Sequence, residues 1–347
     1  MTAAASSSRS ETRPQEQAKP GRLVFTGKQQ VTFEAFDPGQ PGPGQVRTRA
    51  ICSLMSTGTE NIVLNRLFEP GSHWDRWVKY PFHPGYSMIG AVETVGAGVT
   101  GLKVGDIVAM RYPHASHRVL AASECVVVPP TLDPRLAAWF ALGKITFMGA
   151  RAAEYQIGDV VVIIGAGPIG QMSVRWAAAL GCQRIIVVDQ VESRLALARA
   201  GGATTTIAKP IGEAREAIIA ANRGEQPRVV IDGTGNQEVF VHALGLVARK
   251  GTVVILGDTG SPSQQRLTSD VITRGVRIVG AHDCLEDAQW NTSTITEYFF
   301  VLAASGRFPL AGMNSHSFPG AEGMKAYELA NTRRGETMGI IFDWAGG

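Results

Sequence analysis

Cysteine is scarce. Cys52, Cys125, Cys182 and Cys284 are the only four in 347 residues, and no two have the C-x-x-C spacing of a zinc ribbon or redox pair. The reading is of reduced thiols in a cytoplasmic protein. No uninterrupted apolar stretch reaches membrane-spanning length, so no membrane partner is expected. An excess of one charge is lacking too: 33 Lys and Arg stand against 30 Asp and Glu, a net charge of +3. With no basic stripe and interleaved aromatics, nucleic acid is a poor partner. The first 20 residues, MTAAASSSRSETRPQEQAKP, lack the apolar centre of a signal peptide and read as a disordered tail.

What is present suits a soluble globular chain of about two domains. Hydrophobic residues make up 44% of it, enough for sizeable cores, and the 40 glycines suit tight turns and close approach of backbone to a ligand. From Leu23 to about Val128 short strands are broken by Gly and Pro, which predicts an all-β, barrel-like region. Pro129-Pro130 ends it, and Leu136–Ala153 reads as a helical connection. From Val160 apolar β runs alternate with helical stretches. Strand starts recur near Val160, Arg184, Thr204, Arg228, Thr252 and Val276, the pattern of a parallel sheet covered on both faces. Six such strands suit a doubly wound dinucleotide-binding fold. After about Gly280 the alternation stops. Glu297–Ser305 and Gly320–Asn331 read as helices and Thr337–Trp344 as a last strand that returns to the first domain. The expected division is a tail at 1–20, a β-barrel domain at 21–140 and 281–347, and a dinucleotide domain at 141–280.

The strand Val160–Ile164 runs into Gly165-Ala166-Gly167-Pro168-Ile169-Gly170, a complete G-x-G-x-x-G, with a helix following. Gly165 permits the turn, Gly167 lets backbone approach a pyrophosphate, and Gly170 lets helix and strand pack closely. Pro168 fits the first helical position, where its missing N–H is no loss. The helix N-terminus, with Ile169 in its first turn, offers free amides to phosphates. The next strand ends at Asp189, 19 residues after Gly170. A carboxylate there accepts from ribose hydroxyls and repels a 2′-phosphate, so NAD is expected over NADP. Arg194 nearby is a candidate to soften that preference; its alternative is a charge on a helix surface. Thr234, after the fourth strand, and Gly257-Asp258, after the fifth, are candidate nicotinamide-side loops.

Pro84-Gly85-Tyr86-Ser87-Met88-Ile89-Gly90, then Val95-Gly96 and Val104-Gly105-Asp106-Ile107-Val108, resemble the P-G-H-E-x-x-G…V-G…V-G-D-x-V pattern of the medium-chain dehydrogenase/reductase superfamily. Thr57-Gly58-Thr59-Glu60 resembles its C-G-[ST]-D. The similarity runs from about Leu23 to Trp344. It implies a GroES-like β-barrel catalytic domain, a Rossmann sheet, NAD chemistry on a small-molecule substrate, and a homodimer or homotetramer. In zinc-dependent members the Cys and His of those motifs bind the metal. Here Thr57 and Tyr86 stand in their places, Ser87 replaces the neighbouring Glu, and Pro134–Ala153 holds no Cys, His, Asp or Glu. The four-cysteine lobe is missing as well. No zinc is expected. Ser53-Leu54-Met55-Ser56-Thr57-Gly58-Thr59-Glu60 resembles a zinc-lacking branch that includes bacteriochlorophyllide dehydrogenases and sugar- or cyclitol-type oxidoreductases.

Without zinc, a side chain must exchange the proton of the reacting hydroxyl. Lys144, in the apolar run Ala141–Phe147, is the first candidate, with a pKa lowered by such surroundings. Its alternative is a lysine snorkelling to solvent. Tyr86, at a metal-ligand position, is second. Thr59 matches the family's relay hydroxyl, and the pair His282–Asp283 follows the sixth strand. Thr57 and Glu60 are candidate substrate contacts, Glu60 also as the structural partner of a base. Trp74 and Arg76, in Gly71–Trp77, are candidates to line a pocket for a polyhydroxylated substrate; the alternative is a loop pinned by Trp packing. The leading function is zinc-independent interconversion of a secondary alcohol and a ketone on a polar, hydroxylated molecule. Reduction of an activated C=C bond and a catalytically silent NAD-binding sensor remain open.

Overall fold

A computed structural model describes residues 19–344. The expected tail therefore lies outside the described residues, save Lys19 and Pro20.

The barrel-like region forms as the Gly- and Pro-broken pattern predicts. Strands β1 (Gly21–Gly27) and β2 (Gln30–Ala35) pair as an antiparallel hairpin. The long strand β3 (Gln45–Leu54) organises a second sheet. It pairs antiparallel with β4 (Met88–Val95) and β6 (His117–Ala121), while β5 (Ile107–Met110) joins β4 to the short β7 (Val126–Val127). Two short helices, Thr59–Asn65 and His73–Trp77, interrupt the region between β3 and β4. They were not expected, because elements of five to seven residues are too short to display a 3.6-residue period.

The six expected parallel strands are all present: β8 (Val160–Ile164), β9 (Arg184–Asp189), β10 (Thr205–Ala208), β11 (Val229–Asp232), β12 (Thr252–Ile255) and β13 (Arg277–Gly280). Their spatial order is β10-β9-β8-β11-β12-β13, so the order reverses between β8 and β11. Alternate side chains serve opposite faces. Val162, Ile164 and Ile186 join one buried cluster, whereas Val161, Ile163 and Ile185 join another. That two-sided burial is why each strand reads as a continuous apolar run.

The chain then returns to the barrel. Strand β15 (Gly339–Asp343) pairs with β3, and β14 (Asn314–Pro319), which the sequence reading missed, pairs with β15. The helices Phe140–Ala152 and Thr292–Ala304 pack together across the junction, with Phe140, Phe147, Trp176, Phe299 and Phe300 in one core. Among the described residues no helix is long and apolar enough to cross a membrane.

Candidate active site

The glycine-rich turn leaves β8 with Gly165 at φ +90°, a conformation that side-chain-bearing residues rarely adopt. A Cβ on Gly170 would lie 1.8 Å from the Gly165 carbonyl oxygen, whereas one on Gly167 would meet nothing within 4 Å. Gly170 is therefore a packing glycine and Gly167 an open one. Gly167 caps the helix Pro168–Ala179 without a side-chain hydrogen bond, which leaves the amides of the first turn, Ile169 among them, for an anion. Asp189 ends β9. Its carboxylate accepts from the amides of Ala166, at 2.7 Å, and Val191, at 2.8 Å, and so fixes the glycine turn.

The two further strand-end loops meet each other. A Cβ on Gly257 would lie 2.5 Å from the Gly235 nitrogen and 2.7 Å from that of Thr234. The Thr234 hydroxyl and amide both donate to Asp232, whose carboxyl burial pushes upward. Asp258 is engaged by the barrel: His73 Nε2 lies 2.8 Å from its Oδ2. Arg194 differs from expectation. It donates to the Arg334 and Thr337 carbonyls and so grips the C-terminal turn instead of standing free beside the ribose site.

The catalytic candidates gather where β4, β5, the helix Phe140–Ala152 and the segment after β13 converge. Antiparallel register sets Met88 against Met110. Tyr86 and Arg111, just outside that pair, therefore emerge at the same end of the sheet. The Arg111 guanidinium lies 4.8 Å from the centroid of the Tyr86 ring, and its Nη2 donates to Asp283 Oδ2 at 2.6 Å. Lys144, 3% exposed, reaches the same residue from its helix. Its Nζ donates to the Asp283 carbonyl at 2.8 Å, lies 3.8 Å from Oδ2, and pairs with Glu286. The expectation of an apolar setting for this lysine is thus corrected: the neighbours of its ammonium group are carboxylates. Neither does it snorkel to solvent. The Glu286 carboxyl is held low: burial acts to raise it, and hydrogen bonds from Lys144 and Thr292 outweigh that.

The Tyr86 hydroxyl donates to Ser56 Oγ. Burial pushes this phenol above its ordinary range, against hydrogen bonds with Ser56 and Thr59 and the nearby charge of Arg111. Ser56 is itself fixed, because its amide donates to Glu60 Oε1 at 2.7 Å. The other Glu60 oxygen takes His114 Nε2, at 3.1 Å, and the Tyr327 hydroxyl, at 2.5 Å. With Glu60 2% exposed and its carboxylate so occupied, it is a buried holder of the Ser56 turn and not an open substrate contact. Thr57 is buried beside it.

Three candidates lie apart from this cluster or at its edge. His282 is exposed, with Nδ1 3.0 Å from Cys284 Sγ and 3.3 Å from Asp283 Oδ1. Trp74 is buried between Phe68 and Trp77 and donates to the Thr259 carbonyl at 3.2 Å. Arg76 donates to the Gly71 carbonyl at 2.6 Å. These two hold the loop itself, as Trp packing would have it. Conversely, sequence reasoning named neither Arg111 nor Glu286. The only signal for Arg111 was its place directly after a strand that pairs with the Tyr86 motif.

Thr57 and Tyr86 stand where zinc-dependent members have thiolate and imidazole, and both nitrogens of nearby His114 are taken, by Ser53 and Glu60. Among the described residues no group of three or more His, Cys, Asp and Glu is arranged to hold a metal ion.

Comparison with known proteins bears on both halves of the chain. Residues 45–131 match the model of the alcohol dehydrogenase GroES-like domain, and residues 168–293 that of the zinc-binding dehydrogenase family. L-Threonine 3-dehydrogenase of Bacillus subtilis is 26% identical over 294 residues, 74% of this chain and 82% of that protein. A Sinorhizobium meliloti protein solved with NADP superposes with a TM-score of 0.78 at 19% identity, over 94% of this chain and 100% of that one. An Escherichia coli protein described as a short chain alcohol dehydrogenase, solved with NADH, does so with a TM-score of 0.77 at 17% identity, over the same shares. With the GroES-like sheet, the Rossmann sheet and the returning strands in this order, the chain belongs to the medium-chain dehydrogenase/reductase superfamily.

Proposed function

We propose that this protein is an NAD(H)-dependent oxidoreductase that interconverts a secondary alcohol and a ketone on a polar, hydroxylated small molecule without a catalytic zinc. The observation that carries the reading is the contact chain Tyr86–Arg111–Asp283–Lys144 at the junction of the two folds. A bound nicotinamide, held by the glycine turn and Asp189, would supply or accept the hydride. Tyr86 is the proton carrier. Its raised pKa keeps the phenol protonated at neutral pH, ready to donate to the oxygen of a ketone as negative charge develops there. Ser56 and Thr59 orient its hydroxyl and continue the proton path. Lys144 positions Asp283, and through it Arg111. Asp189 supports NAD over NADP: a carboxylate at the end of β9 would accept from the ribose hydroxyls and repel a 2′-phosphate, while Arg194 is committed elsewhere. NADP- and NADH-bound neighbours support a nicotinamide cofactor in general.

The test is consumption of NAD⁺ or NADH over a panel of polyols, ketones and enones, with elemental analysis of the purified protein. Turnover of polyols or ketones that survives a strong chelator is expected. One zinc per chain, lost together with activity, would overturn the zinc-free reading, and activity confined to enones would replace it with C=C reduction.

A further inference from the structure

The two folds are joined in physically different ways at different places. At one, the core is shared: Leu54 and Ile89 of the barrel, Trp176 of the Rossmann domain, and Phe147 and Phe299 belong to one buried apolar cluster. The helices Phe140–Ala152 and Thr292–Ala304, where the chain passes between the folds, both lie in it. At another, residues 67–74, between β3 and β4, lie against residues 258–263, the loop after β12, through hydrogen bonds. The Glu69 amide donates to the Gly260 carbonyl at 2.8 Å. Glu69 Oε1 accepts from the Ser263 amide at 3.0 Å and from its hydroxyl at 2.9 Å. His73 Nε2 lies 2.8 Å from Asp258 Oδ2, and Trp74 Nε1 donates to the Thr259 carbonyl at 3.2 Å. The backbones approach so closely that a Cβ on Gly260 would lie 1.8 Å from the Leu67 carbonyl oxygen.

The second seam is built to part. The apolar cluster that holds Trp74 and Val78, with Phe68 packed on it, contains no residue of the Rossmann sheet or its helices. The strap can therefore leave the loop without opening a core common to both folds, and seams of this kind separate at low cost. The His73 and Asp258 side chains are 50% and 40% exposed, so water competes for their contact. Gly257, at the root of the same loop, packs on the Thr234 and Gly235 amides, so the strap grips both strand-end loops together. We infer that residues 67–74 are a clasp, hinged on the shared apolar core, that must release the 258–263 loop before a nicotinamide cofactor enters or leaves. The inference rests on the reading of Thr234 and Gly257-Asp258 as the nicotinamide side of the cleft. Gly260 is the residue that lets the clasp shut, because a side chain there would meet the Leu67 carbonyl. Its φ lies outside the left-handed region, so Gly260→Ala probes this contact and not local backbone strain.

The experiment compares the full wild-type chain with three variants. Gly260→Ala forces the seam apart, and Glu69→Ala removes the acceptor of Ser263 by a route that does not crowd the backbone. Glu69→Gln keeps a carbonyl oxygen for Ser263 and is the conservative control. Without cofactor, the backbone amides of residues 67–74 and 258–263 are expected to exchange with deuterium at least about tenfold faster in Gly260→Ala and Glu69→Ala, with those of β8 and β11 unchanged. In stopped-flow displacement, NADH release is expected to quicken at least about tenfold in the same two variants and to stay within about threefold of wild type in Glu69→Gln. Exchange unchanged in both variants overturns the clasp. Faster exchange with an unaltered rate of NADH release overturns its role in cofactor passage and leaves the cofactor reading intact. If none of the four proteins binds NADH, the cofactor reading is removed and the role of the clasp falls with it. Binding by the two opened variants but not by wild type supports both, with the shut clasp as the barrier to entry.

Discussion

Arg111 and Asp283, 172 residues apart in sequence, are joined at 2.6 Å, which ties the barrel strand β5 to the segment by which the chain leaves the Rossmann sheet. Asp283→Ala would leave two cations facing each other. A fully buried pair broken this way costs about 3–5 kcal/mol, and since this one is partly exposed, about 2 kcal/mol is expected. Asp283→Asn should lose less: the amide oxygen still accepts from Arg111, and the contact of Lys144 is to the backbone carbonyl. Urea denaturation of the two variants checks the order. Equal stability for wild type and Asp283→Ala would mean that the pair is spent on something other than holding the junction.

Asp189 has two duties, and its replacement should reveal both. The carboxylate fixes the Ala166 and Val191 amides, and on the proposed reading it would also accept from the ribose hydroxyls of NAD. Asp189→Ala is therefore expected to narrow the NAD-over-NADP preference mainly by weakening NAD(H), about tenfold or more, because the glycine turn loses its anchor together with the ribose acceptor. Calorimetry with NADH and NADPH measures this. NADPH binding as tight as NADH in the wild type would show that the ribose assignment is wrong.

The parts legible in the sequence were those with long-range regularity. The six apolar strands and Gly165–Gly170 could be read because burial on both faces and close backbone packing leave few residue choices. The helix His73–Trp77 could not, since one turn capped by Ser72 has no period to detect. Lys144 was placed correctly on a buried helix, but its setting was misjudged: Asp283 and Glu286 approach from about 140 residues away, and local composition carries no trace of them. Arg194 differed for the same reason: its partners, in the 334–337 turn, come from the end of the chain. Glu60 does hold a base, His114, as the reading of it as a structural partner had it.

Glu286 gives a prediction in pH. Its carboxyl is held below the usual range in the folded protein, where hydrogen bonds from Lys144 and Thr292 prevail over burial. A depressed carboxyl contributes stability that is complete above the unfolded value, about 4.3, and is lost as pH falls through the folded one. Wild type should thus exceed Glu286→Gln in stability at pH 7, with the gap closing below about pH 4. Thermal unfolding at both pH values tests it. A gap that persists undiminished in acid would assign the effect to packing or neutral hydrogen bonding.

The final prediction separates Tyr86 from Lys144. If the phenol carries the proton, Tyr86→Phe should lower kcat by about 10²-fold while NADH binding persists. Because burial raises its pKa, ketone reduction by the wild type should not decline through loss of this proton until pH exceeds about 10, and alcohol oxidation, which needs the deprotonated form, should climb over that same range. Lys144→Met should act differently. It leaves Asp283 and Glu286 without their buried cation, so it should reduce stability as well as turnover, and the pH profile set by Tyr86 should stay in place. A Lys144→Met enzyme that is fully stable yet has lost the alkaline rise in oxidation would reverse the two roles and make the lysine the base.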